Sequence, residues 1–256
     1  MNWQIRSSGR GGRRSGGWGA LFLGVAAFGC TDEQTSYFIE ANVKVEAPEC
    51  IARAEGSAIR LLSGLLDVGL VSSYEAILLV GSQLAPRGDK TNLRTETMVT
   101  TITGAEVHLY TDAGEPDPTT PEFTVPTSGV ILPSGSADPG YGVVPATLIP
   151  GATGIALADE LTDFRERRTR VAVVSVFGKT IGGLEVESAE FTYVISVCEG
   201  CIVDFPAEAL STTDGSCLGS TMDAPDPPCE IGQDDAVDCR LCVGTGNPLC
   251  AFPNGG

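Results

Sequence analysis

Two tetrapeptides carry the sharpest chemical spacing in this chain, Cys-Glu-Gly-Cys at 198–201 and Cys-Arg-Leu-Cys at 239–242. A C-x2-C pair brings two thiolates to one ion from a tight turn, so Cys198, Cys201, Cys239 and Cys242 have the donor set of a tetrahedral zinc site. They also have the spacing of a redox dithiol, which needs its thiolate stabilised by a helix N-terminus or a cation. Cys198 instead ends an apolar strand pattern beside Glu199 and Asp204, and negative charge raises a thiol pKa. Cys217, Cys229 and Cys250 crowd the same segment, and Cys50 lies far upstream. An oxidising compartment turns such thiols into disulfides. The reading is therefore disulfide bonding by Cys50, Cys198, Cys201, Cys217, Cys229, Cys239, Cys242 and Cys250, with no cofactor. Zinc binding or thiol redox chemistry at the two C-x2-C pairs is the alternative.

Other catalytic sets are incomplete. His108 is the one imidazole, and strand alternation turns it outward with Glu106 and Tyr110 as same-face neighbours. Gly-x-Ser-x-Gly and His-Glu-x-x-His are both missing from the sequence, so serine-hydrolase and zincin chemistry lack their parts. Carboxylates are plentiful, but acid pairing of the glycosidase kind depends on a separation that sequence does not give. Gly-Lys-Thr-Ile-Gly-Gly at 178–183 lacks the earlier glycine of a phosphate loop, since Val173 stands there, and reads as a hairpin loop. Arg-Gly-Asp at 87–89 reads as a polar turn. Asp234, Asp235 and Asp238 could offer oxygens to Ca²⁺, but without the alternation and closing glutamate of an EF-hand loop they read as solvated acids. Arg165, Arg167, Arg168 and Arg170 form the one basic cluster outside the N-terminal segment, facing an acidic partner or the chain's own acidic tail. Net charge is −17 at pH 7, which repels nucleic acid phosphates and excludes that partner class.

The elements that must position these residues read as short strands. Ile39, Ala41, Val43, Val45 and Ala47 alternate with Glu40, Asn42, Lys44 and Glu46, the period of a half-buried antiparallel strand. Ala105, Val107 and Leu109 repeat it, as do Phe191, Tyr193, Ile195 and Val197. The runs at 74–81 and 170–178 are apolar on both faces and suit central strands. Gly and Pro clusters at 85–89, 112–121, 132–142 and 149–154 mark turns. The segment 50–70 reads as strand plus turns, and 157–168 as a short helix with acids first and arginines last. These features predict an all-β, immunoglobulin-like antiparallel β-sandwich over 38–197, with a small disulfide-rich C-terminal tail. The tail, 198–256, holds seven cysteines and Arg240 as its single basic residue. So small and polar a segment needs disulfides, worth about 2–4 kcal/mol each. Seven cysteines cannot all pair among themselves, so one bridge reaches out, and Cys50 is the candidate.

The N-terminus addresses the chain. Arg6, Arg10, Arg13 and Arg14 precede the apolar run 18–29, too short to span a bilayer core. That run ends in Ala27-Phe28-Gly29-Cys30, which resembles the lipobox of bacterial lipoproteins, a small residue before the cysteine that is lipidated, although Ala27 stands where leucine is usual. The resemblance implies a signal peptide at 1–29, a diacylglyceryl group on Cys30 and a polar tether through residue 37. Thr31 after the cysteine resembles proteins sorted to an outer membrane. The general secretory route fits better than twin-arginine export, since Ser15-Gly16-Gly17 follows the arginine pair. Nine cysteines are odd in number, and lipidation of one leaves a set that can fully pair. The whole pattern resembles the large class of cysteine-rich lipoproteins of myxobacteria, which carries over no activity. The expectation is a non-enzymatic, membrane-anchored, exported lipoprotein, periplasmic or cell-surface, presenting its sandwich to an envelope protein or glycan, or serving envelope structure.

Overall fold

The computed structural model describes residues 36–256 apart from 90, 92–93, 136–137, 162–165, 220–224 and 254–256, and residues Thr35–Gly256 form one compact unit that includes the C-terminal segment. The chain is an all-β sandwich. Its strands are β1 (Tyr37–Val43), β2 (Arg60–Leu61), β3 (Gly64–Asp67), β4 (Tyr74–Ser82), β5 (Thr100–Thr111), β6 (Glu122–Ile131), β7 (Gly140–Ile149), β8 (Arg168–Thr180), β9 (Glu185–Glu187) and β10 (Phe191–Cys198). Helix α1 (Gly151–Glu160) joins β7 to β8, and the tail adds β11 (Val203–Asp204), β12 (Val237–Asp238) and the short helix α2 (Cys239–Cys242).

One sheet runs β2-β1-β4-β7 and the other β3-β10-β8-β5-β6, with β9 on β8. In immunoglobulin lettering β1, β4 and β7 occupy A, B and E, and β5, β8 and β10 occupy C, F and G. The two-sided apolar strands β4 and β8 are central, as their composition requires. Leu78, Val80, Val107, Leu109, Leu148, Val174, Ile195 and Val197 fill the space between the sheets. The second sheet is not purely antiparallel, because β3 lies parallel to β10, Gly64 opposite Ile195 through Asp67 opposite Cys198. The chain crosses from the first sheet to the second between Leu61 and Gly64, so the first-strand position is shared by both layers.

Strand β1 departs from simple alternation. Ile39 pairs with Val80 and Ala41 with Leu79, leaving Glu40 as an extra residue, a β-bulge that reverses the facing of the residues after it. Tyr37 and Ile39 join the central core, whereas Ala41 and Val43 turn outward under Ala58 and Tyr141. Asn42, expected on the wet face, is buried between the sheets.

The expected helix over 157–168 lies earlier, at Gly151–Glu160, with no acid in its first turn and no base in its last. Packing rather than the macrodipole places it. Thr153, Gly154 and Leu157 form its buried face, and a β-carbon at Gly154 would overlap the Ser72 carbonyl. The arginines instead open β8. Between β6 and β7 the two sheets meet without a ladder, since β6 pairs with β5 and β7 with β4. Pro126 and Pro145 lie on these edges, where a missing N–H costs no ladder bond. A β-carbon at Gly129 would come 2.8 Å from the Val143 carbonyl, so glycine permits the approach.

Candidate functional site

Strand direction gives the sandwich two unlike poles. At one lie the start of β1 and the loops 83–99, 132–139 and 181–190. At the other lie the loops 44–59, 68–73 and 112–121, helix α1 and everything after Cys198. The cysteines gather at this second pole in four disulfides: Cys50–Cys229, Cys198–Cys201, Cys217–Cys239 and Cys242–Cys250. Cys50 is thus the residue that reaches the tail. Cys239 and Cys242, at the two ends of α2, are bonded to different partners, whereas Cys198 and Cys201 are bonded to each other. Cys30 and the rest of the N-terminal segment lie outside the described residues.

Asp67 organises the 198–201 turn. Its Oδ1 accepts from the amides of Gly200 at 2.7 Å and Gly69 at 3.1 Å, and its Oδ2 from Ile202 at 3.2 Å. The residue is fully buried, and burial pushes its carboxyl above the usual carboxylate range against the pull of those amides. One carboxylate oxygen of Asp67 and the Cys198 and Cys201 sulfurs lie within 4.8 Å of one another.

The tail is also bolted through the core. Asp234 accepts from the Tyr74 hydroxyl at 2.7 Å and from the Leu65 amide at 2.8 Å. Asn42 donates to the Tyr74 and Tyr193 hydroxyls, both at 3.1 Å, and accepts from the Ile77 amide at 2.9 Å. Burial raises the pKa of both tyrosines and of Asp234. Gln233 mimics a peptide group, accepting from the Glu75 amide at 3.0 Å and donating to the Glu75 carbonyl at 2.9 Å. The three tail aspartates therefore do not converge on calcium. Asp234 faces the core, Asp235 pairs with Lys44 and Asp238 with Arg240.

Comparison with known proteins identifies no relative: the chain matches no family model, no curated protein and no solved structure. No helix among the described residues is long and apolar enough to cross a membrane. Arg168 and Arg170 meet Glu160, Glu166 and Asp117 rather than the tail, and the Arg170–Asp117 pair is buried at 2.7 Å. Arg167 is exposed, and Arg165 lies outside the described residues. The Arg87-Gly88-Asp89 turn is tied down by Glu96, which accepts from the Gly88 amide at 2.7 Å. His108 lies on the outer face of the second sheet, between Glu106 and Glu122.

At the cysteine pole the loop after β1 encloses an open cleft of about 620 Å³ lined by Glu46, Glu49, Ile51, Ala52, Arg53 and Glu55. Ile51 and Ile231 are 59% and 51% exposed, and the Cys50–Cys229 bond brings their segments together. Cysteine spacing pointed to this pole, whereas Asp67, Asn42, Tyr74 and Tyr193 carried no motif.

Proposed function

We propose that the protein is an exported lipoprotein without enzymatic activity, held at an outer membrane by a diacylglyceryl group on Cys30 and presenting its disulfide pole to an envelope protein or glycan. The observation that carries this reading is the cysteine pairing. Eight cysteines form four mutual disulfides, which leaves Cys30 with no cysteine to bond within the chain. A lipid supplies that thiol with a partner, and the bonded pairs suit an oxidising compartment. Two or more acyl chains hold a protein stably where one does not.

Intact-mass spectrometry of the protein from the membrane fraction, alkylated without reductant, tests it. The expected result is a chain beginning at Cys30 with the added mass of the lipid and no alkylated thiol. A protein that partitions into buffer with Cys30 alkylated would overturn the anchor. Thiol redox chemistry is a second reading at one place, because Cys198 and Cys201 of one C-x2-C are bonded to each other. It predicts alkylation of Cys201 after mild reduction that leaves the other three bonds intact.

A further inference from the structure

Glu106 and His108 stand two residues apart on β5, so both project from the outer face opposite the buried Ala105, Val107 and Leu109. On the adjacent strand Glu122 is the register partner of His108. The imidazole is thereby flanked on both sides, with Nε2 3.4 Å from Glu106 Oε1 and Nδ1 3.9 Å from Glu122 Oε2. One donor atom from each of the three residues lies within 4.8 Å of the others. Among the described residues neither carboxylate has a lysine or arginine in a salt bridge. A third acid, Glu187, lies close by, accepting from the hydroxyl of Ser175, itself the register partner of Glu106.

We infer that Glu106, His108 and Glu122 form a surface site for a divalent first-row transition cation of the zinc class, bound by one imidazole nitrogen and two carboxylate oxygens. Imidazole with carboxylates suits zinc, copper, iron and nickel, whereas calcium and magnesium take oxygen donors alone and more of them. Zinc holds nitrogen and oxygen at about 2.0–2.2 Å, which places tetrahedral donors about 3.3–3.5 Å apart. The Nε2–Glu106 separation already matches. Glu122 must swing toward the same nitrogen, and its side chain, 64% exposed, is free to rotate. The backbone under the site is fixed, because β5 is paired on both sides, with β8 and β6. Water completes the shell from the open side, so the site is of the exposed, exchangeable kind. This inference stands whether or not Cys30 carries a lipid.

The test is calorimetric titration of the metal-stripped, disulfide-intact full chain with Zn²⁺, repeated with Co²⁺ to read the ligand-field spectrum. One equivalent is expected to bind with micromolar affinity, with the His108 ring resonances shifting in step. His108→Ala and Glu122→Gln are each expected to weaken binding at least tenfold with unchanged melting temperature, and Glu185→Gln on the neighbouring hairpin to leave it unchanged. Absence of saturable binding would overturn the site. So would undiminished binding to His108→Ala, or calcium bound as tightly as zinc.

Discussion

Asp67 and Asp234 show how single carboxylates hold the tail in place. Asp67 lies in the core and receives the amides of Gly69, Gly200 and Ile202. Removing it leaves buried donors unpaired, each worth about 1–3 kcal/mol. Asp67→Ala is therefore expected to lose about 3 kcal/mol in urea unfolding under non-reducing conditions, while Thr212→Ala at an exposed turn of the tail loses almost nothing. Asp234 predicts a pH effect. It faces Tyr74, Tyr193, Asp235 and Lys44, with Glu230 and Glu75 close by, and burial raises its pKa and that of Glu230 above the ordinary 3.8 and 4.5. A raised carboxyl binds its proton more tightly when folded. The stability it contributes is fully present below those ordinary values and is lost as pH rises through the raised ones. Asp238 acts oppositely, since Arg240 lowers its pKa, but its window lies below 3.8. Melting temperature is thus expected to fall as pH rises above those ordinary values, and Asp234→Asn to flatten that slope. A profile equally steep in the variant would sink the assignment. Neither aspartate was legible in the sequence, because a carboxylate that caps a turn across the chain has no spacing signature.

Elements were legible where one rule sufficed. Alternation found β5 and β10, and two-sided apolar runs found the central strands β4 and β8. It failed on β1, where the bulge at Glu40 buries Asn42. A bulge has no local marker, and the apolar Ala41 and Val43 hid it because Ala58 covers their outer face. The helix was misplaced for a related reason. Glycines at 151 and 154 read as turn signals, yet Gly154 serves close contact with the Ser72 backbone. Glycine marks either a turn or a close approach, and sequence alone does not separate the two. The edge between the sheets is where this matters most. At Gly142 a β-carbon would overlap the Val130 carbonyl, and backbone cannot rotate aside. Gly142→Val is expected to lower stability by at least about 2–3 kcal/mol, the cost of forcing a packed contact apart. Val143→Ala next to it, facing the peripheral cluster rather than the core, is expected to cost about 1 kcal/mol or less. Thermal unfolding of the two variants checks the contrast, and similar losses would mean that the edge strands part freely.

At the scale of the molecule, cysteine counting anticipated the stapled tail but not the polarity that the staples create. Strand β1 starts beside the 181–190 hairpin, where Ala189 donates to the Tyr37 carbonyl at 3.1 Å, and every described disulfide sits at the opposite pole. The stretch from Cys30 to Tyr37 reaches at most about 25 Å when fully extended. The twelve residues of β5 add about 40 Å before the cysteine pole begins. On the proposed reading, a lipid on Cys30 limits how far the 181–190 hairpin can stand from the bilayer and leaves the Cys50–Cys229 cleft room to stand away from it. The acidic body resists lying flat on anionic lipid. In vesicles bearing the lipidated protein, a fluorophore placed at position 181 is expected to transfer energy efficiently to a headgroup acceptor, and one at position 213 only weakly. The difference should persist at high salt, because tether length rather than charge sets it. Equal transfer from both positions would mean that the sandwich lies on its side, and stronger transfer from 213 would put the disulfide pole at the membrane. Either result removes the cleft from the surface offered to a partner.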